Sequence, residues 1–277
     1  MRDLYARLDR LQRQGRDVVV CTVIRTRGSV PRHVGARLLV FADGSIEGTV
    51  GGGELEERVR QQALQTLVSR RPSIVEHTLQ DVAAGDAGVC GGTVEVFLEP
   101  LTQRPTLLVI GGGHVGRSLV HLGGWLGFHV VVSDDRETHC TPEAVPGADE
   151  YRAVSIRVLA QEMPIHRDTW IVMPTRGMPL DVEGLPHLLD KPFGYLGVIG
   201  SRRRWAAVRK QLLERGVSAE RLEQVHAPMG LEIEAETPEE IAVSVLAEIL
   251  MLRNGGTGRS MRLPGVQAAD DSDTMPA

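Results

Sequence analysis

Leu4, Leu8 and Leu11 recur at helical spacing, and Gly15 follows as a plausible helix stop. The run VVVCTVI at 18–24 is continuously apolar and predicts a buried strand. ARLLVF and SIEGTV flank Asp43 and Gly44, the pattern of a β-hairpin. Over 54–69 the residues Leu55, Val59, Ala63, Leu64 and Leu67 share one helical face. SIVEHTL and TVEVFLE then alternate as further strands. These elements predict a compact, strand-rich α/β domain over 1–100, closed by a proline-ended linker at 101–105.

The pattern then changes to regular alternation. Strands are expected at 106–110, 128–133, 150–154, 169–173, 196–199 and 224–227, with helices at 114–126, 156–163, 182–189 and 202–215. Such alternation predicts a doubly wound parallel sheet of Rossmann type, covered by helices on both faces, over 106–254. Thr237, Pro238 and Glu240 form a capping-box signature before IAVSVLAEILML. That helix is apolar around much of its circumference, so it is expected to be buried against the sheet or against another copy of the chain. The Gly-, Ser- and Asp-rich stretch 255–277 is expected to be disordered.

Composition narrows the class. The chain has 277 residues, 42% hydrophobic and 24% charged, with net charge −5. An acidic balance argues against a nucleic-acid partner, which usually calls for a basic face. Three cysteines cannot all pair within one chain. With no apolar leader and no stretch of the ~18 apolar residues a membrane span needs, the expectation is a cytoplasmic protein.

Gly111, Gly113 and Gly116 have the G-x-G-x-x-G spacing directly between a strand and a helix, the context that makes the pattern specific for a phosphate-bearing ligand. His114 stands at the helix start as a ligand contact or a cap. Asp134 ends the second strand, near the position of the acid that accepts an adenosine ribose. In strand order 3-2-1-4-5-6 the crevice lies between the first and fourth strands, facing Thr175 and Arg176. Ser201 and Arg202 open another helix on the same edge, and Ala227 to Gly230 follow the sixth strand there. In the first domain Arg32 and Arg37 supply cations beside flexible backbone, and Gly52 and Gly53 open a helix as a candidate anion nest. Cys90, flanked by Gly91, is a candidate accessible thiol, whereas Cys21 belongs to the core. His139 and Cys140 are adjacent and have no spaced partners, so a protein-chelated metal is not expected.

Together GSVPRHVGARLLV, GTVGGGELE, VCGGTVEVFLEP, VIGGGHVG, the DDR at 134–136, VIGSRRR and HAPMGLEIEAETPEEIAVSVLAEIL lie in the order found in one family. Over residues 19–253 the chain resembles the XdhC/CoxI family, accessory proteins that mature molybdenum hydroxylases such as xanthine dehydrogenase. The resemblance implies an N-terminal XdhC domain and a C-terminal Rossmann-like domain. It also implies binding of molybdenum cofactor (molybdopterin), its sulfuration by a separate cysteine desulfurase and its insertion into an apo molybdenum hydroxylase. A cytoplasmic homodimer or larger assembly is implied as well. On this reading the glycine loop holds the cofactor phosphate, Arg32 and Arg37 contact pterin or phosphate, and Cys90 approaches the molybdenum. Two positions depart from the family pattern: Met178 stands where a histidine is frequent, and Glu234 where a glycine is common.

Two alternatives stand beside it: an NAD(P)-dependent oxidoreductase and a dinucleotide-binding regulatory sensor. The glycine fingerprint permits NAD(P). A Tyr-x-x-x-Lys proton relay is missing, since Tyr5, Tyr151 and Tyr195 have no lysine four residues on.

Overall fold

The computed structural model describes residues 4–78 and 92–262. The chain divides between Gln103 and Arg104 into two compact units.

In the first unit, α1 (Leu4–Arg13) leads into β1 (Val18–Arg27), β2 (Arg37–Phe41), β3 (Ile46–Gly48), α2 (Gly53–Ser69), β4 (Ser73–Thr78) and β5 (Thr93–Leu101). The strands form an antiparallel sheet of order β3-β2-β1-β5-β4. Strand alternation sends β1 side chains to opposite faces. Val19, Cys21 and Val23 pack with Leu55, Val59 and Ala63 of α2, while Val18 and Val20 pack with Leu4 and Leu11 of α1. The continuous apolar run of β1 thus reflects a central strand covered on both sides.

In the second unit, β6 (Thr106–Ile110), α3 (His114–Trp125), β7 (His129–Ser133), β8 (Glu150–Arg152), α4 (Ile156–Glu162) and β9 (Thr169–Met173) come first. They are followed by α5 (Met178–Leu189), β10 (Tyr195–Val198), α6 (Arg202–Glu214), α7 (Ala219–Leu222) and α8 (Pro238–Asn254). The sheet is parallel throughout, with order β10-β9-β6-β7-β8. One face carries Leu108 and Ile110 against α4, α5 and α6; the other carries Leu107 and Val109 against α3 and α8. The capping box of α8 is present: Thr237 accepts from Glu240 N, and the Glu240 side chain accepts from Thr237 N. α8 buries Ala242, Val245, Leu246 and Ile249 on α3 and the sheet and leaves Val243 exposed.

Two elements correct the sequence reading. The sixth strand expected at 224–227 is reduced to one parallel bridge, Gly197 to His226. His226 donates to Leu196 O and accepts from Val198 N, after which the chain turns at Pro228, which has no N–H to extend a ladder. α5 begins at Met178, not 182, because Pro179 occupies its first turn, where the missing N–H costs nothing. Met178 packs against the core beneath it. Glu234 adopts φ 54, the left-handed region where glycine carries no Cβ penalty. Of the 255–277 stretch, residues 263–277 lie outside the described residues.

Candidate functional site: the crevice at the carboxyl edge of the parallel sheet

The loops after β6, β7, β9 and β10 surround a cavity of about 690 Å³, large enough for a cofactor-sized ligand. It sits where the chain passes from the β7 side of β6 to the β9 side, the reversal point at which open parallel sheets bind ligands.

The glycine loop divides its labour. Gly111 has φ 129, and a Cβ there would stand 2.9 Å from the Pro174 carbonyl oxygen. Added Cβ atoms at Gly112 and Gly116 would collide with the His139 and Gly111 carbonyls. These glycines permit close packing of the chain on itself. Gly113 differs: its φ is −74, and a Cβ there would meet nothing within 4 Å. Gly113 and the exposed His114 both line the cavity at the start of α3, where unpaired N–H groups and the helix dipole favour an anion.

Asp134 is buried and saturated. Oδ1 accepts from Arg136 N at 3.0 Å and Arg136 Nε at 2.8 Å, and Oδ2 from Gly112 N at 2.9 Å and Arg136 Nη2 at 2.8 Å. Burial alone would raise its carboxyl pKa, but the donors from Arg136 and Gly112 outweigh it and hold it well below the usual range. A carboxylate offers about four lone-pair positions. The acceptor that an adenosine ribose 2′-hydroxyl would use is therefore occupied by the chain's own donors.

Arg176 reaches from the loop after β9 to grip Asp135 bidentately, Nη1 to Oδ1 at 2.6 Å and Nη2 to Oδ2 at 2.8 Å. Thr175 is buried and donates to Asp181 Oδ1, while Arg204 donates to Thr175 Oγ1 at 2.8 Å and to Asp181 Oδ2 at 2.6 Å. Burial pushes the Asp181 carboxyl upward, against the lowering pull of Thr175 and Arg204. This cluster anchors the loop after β9 to α6. Thr175, Arg176, Gly111, Gly113, His114 and Asp134 thus all line one cavity.

Ser201 and Arg202 are placed differently. Ser201 caps α6 by accepting from Arg204 N at 3.2 Å. Arg202 lines a neighbouring cavity of about 450 Å³ with Met229, Gly230 and Ile241, which shares Ile199 and Gly200 with the larger one.

In the first unit the Gly52–Gly53 turn, expected as an anion nest, has positive φ at both residues, 83 and 60. The nest is already filled: Glu56 Oε1 accepts from Gly52 N at 2.9 Å, from Val50 N at 3.3 Å and from Thr49 Oγ1. Burial opposes ionisation of Glu56, but these donors prevail and its pKa is lowered. Arg32 is exposed, and Arg37 is half-buried at the start of β2 with its Nε buried and without a hydrogen-bond partner among the described residues. Cys90 lies outside the described residues. Cys21 is core, its thiol pushed up to about 12 by burial. Among the described residues no group of three or more His, Cys, Asp or Glu is arranged to hold a metal ion. No described helix is long and apolar enough to cross a membrane.

Sequence reasoning missed Ser133, Arg157 and Glu183, all of which line the large cavity. Ser133 is 1% exposed, and its Oγ has no hydrogen-bond partner among the described residues. Buried hydroxyls are nearly always satisfied, so an orphan at a cavity wall points to a ligand or water partner. Its place beside Asp134 at a strand end was the available signal.

A parallel α/β domain with a crevice at its carboxyl edge, joined to a separate antiparallel domain, defines a two-domain protein of Rossmann type. Comparison with known proteins makes this specific. The model of the XdhC Rossmann domain matches residues 107–249, and that of the XdhC and CoxI family matches residues 11–78. The chain belongs to the XdhC/CoxI family. It is 36% identical over 264 residues to YqeB of Escherichia coli (strain K12), covering 95% of this chain and 48% of that protein. It is 31% identical over 161 residues to a probable xanthine dehydrogenase component of Bacillus subtilis (strain 168), covering 58% of this chain and 47% of that one. The chain therefore spans about half the length of these two relatives. The molybdenum cofactor insertion chaperone PaoD of Escherichia coli (strain K12) is 26% identical over 270 residues, covering 86% of this chain and 84% of PaoD. A solved structure of a xanthine dehydrogenase from Bacillus halodurans shares the fold, with TM-score 0.50 and 24% identity over 90% of this chain and 95% of that one.

Proposed function

We propose that this protein is a carrier of molybdenum cofactor: it binds the cofactor as cargo, holds it for sulfuration by a cysteine desulfurase and passes it to an apo molybdenum hydroxylase of xanthine dehydrogenase type. The setting is the cytoplasm, and the working unit a homodimer. Residues 1–100 act as the XdhC domain and 106–254 as the Rossmann-like cargo domain. The observation that carries the reading is the cavity of about 690 Å³ in which Gly113 leaves open space at the α3 N-terminus. A terminal phosphate fits that position, because free N–H groups and a positive dipole end are fixed there without reorganisation. His114 adds a donor at the same helix start, Thr175 and Arg176 form the facing wall, and Ser133 offers an unsatisfied hydroxyl. The family membership and the name of PaoD support the choice of cargo. The occupied ribose acceptor at Asp134 counts against an NAD-dependent oxidoreductase.

The test is anaerobic titration of the purified protein with molybdenum cofactor, with NAD(H) and NADP(H) in parallel. Stoichiometric cofactor binding, followed by activation of an apo-hydroxylase, is expected. Binding of a nicotinamide dinucleotide alone would overturn the carrier reading.

A further inference from the structure

We infer that Glu183 reads the donor edge of the cargo's pterin ring and sets the specificity of the crevice; this rests on the carrier reading. The charged groups of the cavity wall are mostly spoken for. Asp134 is held by Arg136, Asp135 by Arg176 and Arg204 by Asp181. Glu183 on α5 and Arg157 on α4 also line the cavity, both exposed, and neither has a hydrogen bond or ion pair among the described residues.

Backbone packing brings these two onto one wall. Gly184 lets α5 close on α4, since a Cβ there would stand 2.8 Å from Ile156 Cγ2. Glu183 precedes that contact on one helix, and Arg157 follows it on the other. The wall therefore offers one uncommitted anion and one uncommitted cation, while the α3 N-terminus offers N–H donors.

A ligand matching this set has an anionic end and an edge of adjacent donors. The 2-amino-4-oxo-pyrimidine ring of a pterin has such an edge: N3–H and the 2-amino N–H lie side by side and point the same way. An ionised carboxylate is acceptor-only and takes paired donors bidentately, as it takes an arginine fork. Arg157 and the first turn of α3 are then left for the phosphate and the dithiolene-bearing end. Ser133, with its orphaned hydroxyl on the same cavity, has a hydrogen bond to give or take.

The experiment compares pterin with lumazine, which carries a C2 carbonyl in place of the amino group. Affinities of both are measured with the full chain and with Glu183→Gln, alongside uptake of molybdenum cofactor. The wild-type protein is expected to prefer pterin by at least ~10-fold, because lumazine sets an acceptor against a carboxylate. The Glu183→Gln carboxamide presents one donor and one acceptor, which matches N3–H and C2=O, so the preference is expected to shift to lumazine. A purely structural role for Glu183 would not produce that reversal. If the wild-type protein takes up cofactor but shows no preference, or if Glu183→Gln keeps the wild-type ratio, the inference is overturned and the carrier reading stands. If the wild-type protein takes up no cofactor, the carrier reading falls and the inference falls with it.

Discussion

The Arg136 guanidinium meets the Asp134 carboxylate fork to fork, Nε on Oδ1 and Nη2 on Oδ2, each at 2.8 Å. The pair converts an acid at the end of the second strand from a ligand acceptor into a support for the glycine loop, because Oδ2 also holds Gly112 N. Removing the fork should restore the acceptor. Arg136→Ser is expected to bind NAD at least ~10-fold more tightly than the wild-type protein, about 1.4 kcal/mol. Isothermal titration of both proteins measures it. Equal affinities would mean that Asp134 is not limiting for a ribose at this crevice.

The glycine loop makes a contrasting pair of outcomes. Gly113→Val has open space for its side chain at a φ of −74, so its melting temperature is expected to stay within ~2 °C of wild type. Its cofactor affinity is expected to fall at least ~10-fold, because the side chain enters the phosphate approach. Gly116→Ala drives its Cβ into the Gly111 carbonyl and is expected to destabilise by about 1–3 kcal/mol or more. Thermal unfolding and cofactor titration on both variants separate the roles. Unchanged affinity in Gly113→Val would remove the loop as the cradle.

The sequence carried much of this because the features were local. The Gly111–Gly116 spacing, the Thr237 capping box and the strand alternation each fix backbone within a few residues. What it hid was how side chains satisfy one another. The spacing of Asp134 is that of a ribose acceptor, but nothing in spacing shows Arg136 folding back over it. Gly52 and Gly53 read as an empty nest, although Glu56 in the first helical turn was a visible candidate to fill it. Glu183 and Arg157 sit on different helices and share a wall only because α5 packs on α4 at Gly184, a tertiary contact that periodicity does not encode.

The filled nest of the first unit can be emptied. Glu56→Ala leaves Gly52 N, Val50 N and the Thr49 hydroxyl without their shared acceptor, at a cost of about 1–3 kcal/mol. A small anion should take the vacated place. The melting temperature of Glu56→Ala is expected to rise more steeply with sulfate than that of the wild-type protein, at matched ionic strength in chloride. The wild-type protein controls for the general stabilisation that sulfate gives. Parallel slopes would show that the nest geometry is held by Glu56 and collapses without it.

Glu248 organises the end of β10. Tyr195 Oη donates to its Oε2 at 2.6 Å, Gly230 N to the same oxygen at 2.8 Å, and His226 Nδ1 lies 3.1 Å from Oε1. Burial alone would raise the Glu248 pKa, but His226, Tyr195 and Gly230 outweigh it and the net shift is downward. A carboxylate whose folded pKa is lowered contributes stability that is full above its unfolded value, about 4.3, and is lost as pH falls through the folded value. Tyr195→Phe keeps the ring, which lies 4.6 Å from that of His226 at a tilt of 30°, and removes only the hydroxyl. It is expected to cost about 1.5–3 kcal/mol at pH 7, the range for a hydrogen bond to a charged group. That cost should shrink as pH falls below the folded pKa of Glu248, because a protonated carboxyl no longer makes the charge-assisted bond. Urea unfolding of both proteins at pH 7 and at successively lower pH, as far as the folded state persists, measures the difference. A cost that stays the same throughout would show that the contribution of the Tyr195 hydroxyl does not depend on the charge of Glu248.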